Sequence, residues 1–407
     1  MKKTLTGLLL ILALASCESV WAQDESLPDE FSEMTETSEN TTGIGGIVDA
    51  VTTFGNKPHL NANTLNDNNF NNIRALLNFR FQHKEKLRAD VEVLFDDASA
   101  EKVRLQGAFI TIFDVPNEKI NFMIGKIPNL FGNFGKREFS DVNPLIGQPL
   151  MRQYRTSLDW NNLWNNQEQL ILKNRRKAHK GNLPVNVLAG ATPTVYDARW
   201  DFGVELFGNI SFVDYQIAVT EGSISNPDAN QNKGKQFLGR LGFAPVAGLK
   251  FGFSGASNPY LSSADPQRLL EEGKGKGEYR QMAYGMDLEA SYRYLIVFSE
   301  FVKSTWDASV DEGELSNWSW YVDAKYKLHP KLYAAGRYDM MNFSKIKNPA
   351  TAAKESWDYD VKRYEAGLGF RITADATLKL VEQWTVFDKK SSIKNVRFTA
   401  AQLSVPF

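Results

Sequence analysis

A two-residue rhythm runs through most of this chain and limits what it can become more than any other feature. Ile73, Ala75, Leu77, Phe79 and Phe81 alternate with Arg74, Asn78, Arg80 and Gln82. In an extended strand this puts an apolar row on one face and a charged row on the other. The pattern returns in Leu87 to Asp96, where Arg88, Asp90, Glu92 and Asp96 hold the polar face. It returns again in Met282 to Tyr292 against Gln281, Asp287, Glu289 and Ser291, and in Trp318 to Tyr326 against Ser319, Asp323, Lys325 and Lys327. Such a strand either covers a soluble core or forms a membrane barrel wall, with lipid outside and water inside.

The stretch Val396 to Phe407 has the same two faces: Thr399, Ala401, Leu403, Val405 and Phe407 on one side, Ala400, Gln402 and Ser404 on the other. In bacterial outer-membrane barrels the last strand usually ends in Phe, which the barrel assembly machinery reads before that edge closes onto the first strand. Phe407 is therefore the candidate assembly signal, although a soluble core strand ending in Phe would look the same here. Connection lengths separate the two cases. Short turns at His83-Lys84, Val115 to Asn117, Pro245 to Gly248, His329-Pro330 and Thr373 to Asp375 alternate with long or polar connections. Outer-membrane barrels have short periplasmic turns and longer external loops.

The expectation is an all-β fold, a transmembrane antiparallel β-barrel whose first strand runs from Gly43 to Phe54. It has eighteen strands, or sixteen if the weak pair Gln167 to Lys173 and Val185 to Ala189 belongs to the preceding loop. Past the first turns of the chain, no run approaches the ~20 apolar residues of a spanning helix, so a membrane assignment requires strands. Trp318, Trp320, Tyr292, Tyr294 and Trp384, near strand ends, suit the aromatic girdles at the two interfaces; ordinary sheet packing is the alternative. Glu382 breaks the outward apolar row, either because it sits near an interface or because a bulge resets the register there.

Before the barrel, Lys2 and Lys3, the apolar run Leu5 to Leu14 and Val20-Trp21-Ala22 read as a signal peptide over residues 1–22. Leu14-Ala15-Ser16-Cys17 also resembles a lipobox, which would place a lipid on Cys17. Residues 23–42 are acidic and Ser/Thr-rich and read as a flexible periplasmic segment, leaving residues 43–407 for the barrel. Lys+Arg 47 against Asp+Glu 48 gives no global field for nucleic acid. The lone Cys17 and the scattered His59, His83, His179 and His329 give no metal, disulfide or cofactor site.

Gly125 to Arg137 (GKIPNLFGNFGKR), followed by Asp201-Phe202-Gly203-Val204 leading into a strand, resembles the phosphate-selective porin O and P family. In that family a strand ending in Gly-Lys/Arg runs into a loop containing Pro-Phe-Gly; here Pro128 stands apart from Phe131-Gly132. The resemblance implies a homotrimeric, mostly sixteen-stranded outer-membrane channel with its third long loop folded into the lumen. Phosphate selectivity does not carry over. It depends in the family on lumen lysines and an arginine ladder, and here Asp90, Glu92, Asp96, Asp287 and Glu289 interleave with the arginines.

That third loop, Lys126 to Trp160, is the candidate constriction. It carries Lys136, Arg137, Arg152 and Arg155 beside Glu138 and Asp141, and charges at a narrow point set ion preference. A loop facing outward remains the alternative. On the wall, Arg74, Arg80, Arg88, Arg337, Arg363 and Arg371 either form a basic strip opposite an acidic one or pair with neighbouring carboxylates. The expected function is passive diffusion of small solutes or ions across the outer membrane, with anions favoured at the loop and membrane lipid around the wall. An enzymatic barrel would need a Ser, His and Asp cluster, and none of the four histidines lies on a well-phased strand beside such partners. A barrel sleeve around an electron-transfer partner would need haem from another chain, since there is no C-x-x-C-H motif. A soluble periplasmic β-rich binding protein is the third rival.

Overall fold

The computed structural model describes residues 40–55, 72–97, 102–114, 119–158, 192–195, 200–225, 234–261, 272–308, 314–348, 350–388 and 395–407. The signal peptide, Cys17, most of the 23–42 segment and the weak strand pair between Gln167 and Ala189 lie outside these residues.

Five strands precede the long third loop: β1 (Asn40–Gly55), β2 (Asn72–His83), β3 (Leu87–Asp96), β4 (Val103–Ile112) and β5 (Asn121–Pro128). After it come β6 (Trp200–Ile210), β7 (Val213–Thr220), β8 (Gln236–Val246), β9 (Leu249–Pro259), β10 (Arg280–Tyr292), β11 (Leu295–Trp306), β12 (Leu315–His329) and β13 (Leu332–Phe343). A small ribbon of β14 (Lys345–Lys347) and β15 (Lys354–Ser356) stands apart. Then β16 (Val361–Arg371), β17 (Thr377–Phe387) and β18 (Val396–Pro406) finish the wall. Every neighbouring pair is antiparallel, and β1 pairs with β18, so the described residues close a barrel of sixteen strands. The first strand starts at Asn40, three residues ahead of the expected Gly43.

The period-two sequence is what makes this wall. On β10, Tyr284 is 57% exposed on the outside, whereas Gln281 is fully buried inside. Ile44, Phe79, Phe122, Phe202, Ile217, Phe253 and Leu368 are likewise exposed on the outside of other strands. A soluble β protein reverses this arrangement; a continuous apolar exterior fits lipid.

Connections β2–β3, β6–β7, β8–β9, β10–β11, β12–β13 and β16–β17 are the short ones, and all leave the same end of the barrel; β4–β5 at that end, residues 113–120, is longer than β3–β4 at the other, residues 97–102, and the turn expected at Val115 to Asn117 lies outside the described residues. Several turn through left-handed residues: Lys84 (φ 51°), Ser211 (φ 61°), Arg293 (φ 54°) and Gly248 (φ 78°). This backbone matches the twist of paired strands in tight hairpins. Glu382 needs no bulge, because β17 runs in unbroken register with both β16 and β18, and its side chain lies on the outer face.

Candidate pore constriction

The third loop folds into the barrel. Its large apolar residues Leu130, Phe131, Phe134, Leu145, Ile146, Leu150 and Met151 are buried, most of them in one cluster with Tyr260, Trp306, Tyr321, Phe343 and Trp357. Burial of these apolar groups, at roughly 1.5–3 kcal/mol for each large side chain fully buried, offsets part of the entropy lost in ordering a long loop.

Beyond β5 the chain crosses the lumen and attaches to the far wall strand by strand. Gly132 (φ 73°) donates its N–H to Ser254 Oγ on β9 at 3.1 Å, and Phe131 packs over Gly285 on β10. Gly132 lies so close to β11 that a Cβ there would stand 1.6 Å from Glu300 Oε1. A short 3-10 turn, Phe134–Arg137, then presents Arg137 to β12, where its guanidinium reaches Asp323 Oδ2 at 3.3 Å and donates to Tyr321 Oη at 2.9 Å. The same group stacks 3.6 Å above the Phe298 ring.

Further on, Ser140 and Ser404 of β18 share a hydrogen bond of 2.8 Å, and Lys379 of β17 donates to the carbonyls of Ser140 and Asn143. Tyr333 of β13 donates to Pro144 O at 3.1 Å, and Leu145 packs against Gly367 of β16. Helix α1 (Leu150–Gln153) is held by Arg363 of β16, which donates to Gln148 O at 3.1 Å and Gln153 Oε1 at 2.8 Å. Tyr154 Oη donates to Asp358 Oδ1 at 2.8 Å, and Asp358 Oδ2 accepts from Ser157 N–H at 2.5 Å.

The loop residues singled out in the sequence therefore divide. Arg137 and Arg152 are buried, the first on Asp323 and the second 4.0 Å from Glu300. Arg155 is half-buried. Lys136 is solvent-exposed although the barrel encloses it, and its charge faces Arg240, Asp214, Asp287 and Lys250. Glu138 and Asp141 are half-buried; Glu138 accepts from Gln148 Nε2 at 2.8 Å and lies in the field of Arg74.

On the wall, five of the six arginines are paired. Arg74 reaches Asp49 at 2.8 Å, and Arg80 and Arg88 both reach Asp90 at 2.7 Å. Arg337 joins Asp323 at 2.5 Å and Glu365 at 3.5 Å, and Arg363 lies 3.8 Å from the same Glu365. Arg371 is exposed at the turn end of β16. Exposure separates two sides of the lumen: the Arg80 and Arg88 side chains are 27% and 25% exposed, whereas those of Arg337 and Arg363 are 0% exposed. Solvent therefore reaches Arg80 of β2 and Arg88 of β3 more than Arg337 of β13 or Arg363 of β16.

Asp49, Glu300 and Asp358 are the carboxylates that sequence reading missed. Asp49 is one carboxylate in a weakly alternating first strand, and Asp358 lies in a connection; neither carries a local signal of its role.

No protein-family model and no curated protein matches the sequence. Among solved structures the barrel resembles Salmonella typhi OmpF in complex with daunomycin, with a TM-score of 0.59 and 11% identity over 92% of this chain and 100% of that one. It also resembles an anion-selective porin from Comamonas acidovorans (TM-score 0.54, 10% identity, 90% and 99% coverage). A third is OmpT, an outer-membrane protein of Vibrio cholerae, in its trimer form (TM-score 0.51, 12% identity, 90% and 99% coverage). At these identities the likeness is one of fold. The chain has a porin-like fold: the described residues close a sixteen-stranded antiparallel β-barrel of the outer-membrane type with an apolar exterior.

Proposed function

We propose that this barrel is a diffusion channel for small hydrophilic solutes, with the passage running inside the barrel past Arg80 of β2, Arg88 of β3 and Lys136 of the third loop. One observation carries the reading: the loop is fastened to the β9–β18 side while Lys136, Arg80 and Arg88 keep solvent contact inside the barrel. A structural sleeve has no need of a loop drawn across its lumen. An enzyme needs a reacting constellation, and the polar groups here are arginine–carboxylate pairs that fix the wall and hold water in the lumen.

Anion preference is the finer reading. Asp323 and Glu300 offset Arg137 and Arg152, so that preference rests on Lys136. The resemblance of Gly125 to Arg137 to phosphate-selective porins, and the anion-selective porin among barrels of the same fold, support it. A homotrimer is the assembly that goes with this reading; one barrel of this fold is a trimer.

The experiment is planar-bilayer recording of the purified protein with reversal potentials in a salt gradient. The expected result is stepwise ohmic conductance, with Lys136→Glu moving the reversal potential towards cations. No conductance from correctly folded barrels would overturn the channel reading. Conductance with an unmoved reversal potential would remove Lys136 from selectivity.

A further inference from the structure

The acidic stretch ahead of β1 has no part in the channel reading so far. It carries Asp24, Glu25, Asp29, Glu30, Glu33, Glu36 and Glu39 and no Lys or Arg. Residues 24–39 lie outside the described residues, but the place where they join the barrel is fixed. Asn40 of β1 pairs with His83 at the β2–β3 turn, so the stretch meets the wall at the end bearing the tightest turns. Cleavage after Ala22 and lipid attachment at Cys17 both leave it in place.

At that same end the inner wall is basic. Lys325 and Lys327 of β12 and Arg371 of β16 occupy inward positions, and Lys331 stands in the β12–β13 turn. Lys325 lies 5.0 Å from the Tyr333 ring, and the charge of Arg371 acts on the same tyrosine, whose hydroxyl holds the third loop at Pro144. Residues 324–338 contain no Asp or Glu, and between Glu365 and Glu382 the one carboxylate is Asp375. Lys331 and Arg371 are exposed, and among the described residues neither has an ion-pair partner. On the other side of Asn40 the β2–β3 turn also carries Lys84 and Lys86, but Glu85 stands between them.

We infer that residues 24–39 dock across the turn-end opening of the barrel, on Lys325, Lys327, Lys331 and Arg371, and narrow the passage there. Like charges repel within the acidic stretch and within the basic rim, and bringing the two together relieves both. The stretch is long enough. β16 stands three strands from β1 and β12 five, about 15 and 24 Å along the wall at the ordinary strand spacing. An extended chain gains roughly 3.3–3.6 Å per residue, so residues 24–39 cover that span with length to spare. The docking itself does not depend on what passes through the lumen; its effect on conductance rests on the channel reading.

The test treats the full chain in outer membranes with a water-soluble carbodiimide, which joins a carboxylate to a lysine in contact with it. No Lys or Arg interrupts the sequence between Lys3 and Lys57, so trypsin leaves the acidic stretch in one peptide and each cross-link reports its lysine. The expected links run from residues 24–39 to Lys325, Lys327 or Lys331, several-fold more often than to Lys102 at the opposite end. Because screening shortens from about 10 Å at 0.1 M salt to about 3 Å at 1 M, these links should fall several-fold over that range. No links, links confined to Lys84 and Lys86, or links that salt leaves unchanged would overturn the inference. Removing residues 24–38 should raise the conductance at low salt, with the difference shrinking at high salt; equal conductance of the two forms at low salt would overturn the narrowing. Barrels that cross-link as expected but conduct in neither form fail the channel reading alone.

Discussion

Gly46 shows how one residue can decide whether the barrel closes. Its N–H and C=O exchange hydrogen bonds of 2.9 Å with Phe407, and the Phe407 ring lies over it on the outer face. A Cβ at this position would stand 2.4 Å from Leu76 O and 2.7 Å from Phe407 Cζ. The first of these contacts is backbone and cannot move without opening the β1–β2 pairing. Gly46→Val is therefore expected to cut the yield of folded barrel in the outer membrane several-fold, as is removal of Phe407. In both cases barrels that do form should lose less in thermal stability than in yield. Quantitative gels of unheated membranes check this, and a normal yield of either variant would separate Phe407 from assembly. Phe407 was legible in the sequence because its position and phase were visible there. Gly46 was not, since nothing local distinguishes a glycine beneath an aromatic ring from a flexible one.

The third loop is the element whose details the sequence concealed. Its position after β5 and its length were readable, but its charges looked like pore-lining groups because charges in a loop ordinarily face water. The telling signal was the apolar content: a loop exposed to solvent has no use for Leu130, Phe131, Phe134, Leu145, Ile146, Leu150 and Met151 together. Once those residues are inside, Arg137 and Arg152 go in with them and need carboxylates on the wall. Asp323 serves both Arg137 and Arg337. Asp323→Ala leaves two buried guanidinium groups short of a partner, a change that typically costs about 3–5 kcal/mol. Because the barrel is held independently by its strand ladders, the strain should fall on the loop. The expected result is a larger and noisier single-channel conductance at an unchanged heat shift. Conductance identical to the unmodified protein would show that the loop does not limit the passage. Arg152→Met, which removes a charge 4.0 Å from Glu300 and not the shared carboxylate, should have a smaller effect in the same direction.

At the scale of the whole molecule, architecture follows from alternation: bulky apolar residues face outward along the wall, while the inner face mixes polar groups with the apolar residues, such as Trp306, Tyr321 and Phe343, on which the third loop packs. Alternation is why a barrel of sixteen or eighteen strands and the end bearing the tightest turns could be read from the sequence, whereas the choice of sixteen could not, because the weak pair between Gln167 and Ala189 alternates too poorly to decide it. The same logic predicts how the folded state responds to denaturants. The wall closes on itself through β1 and β18, so no edge is left from which the sheet can peel, and unfolding requires many ladder hydrogen bonds to break together. Dodecyl sulfate at room temperature should therefore leave the barrel intact and compact, and boiling should expand it. Unheated and boiled samples are expected to migrate at clearly different apparent sizes. Phe54→Asp, which places a charge on the outer face of β1 opposite Thr399, should lower the temperature of that transition without abolishing it, since a carboxylate on the lipid face costs less than the ~2–4 kcal/mol of a midplane Arg or Lys. Recovery of the unmodified protein in a soluble periplasmic fraction, with no heat shift, would contradict the lipid-facing wall from which the whole architecture is argued.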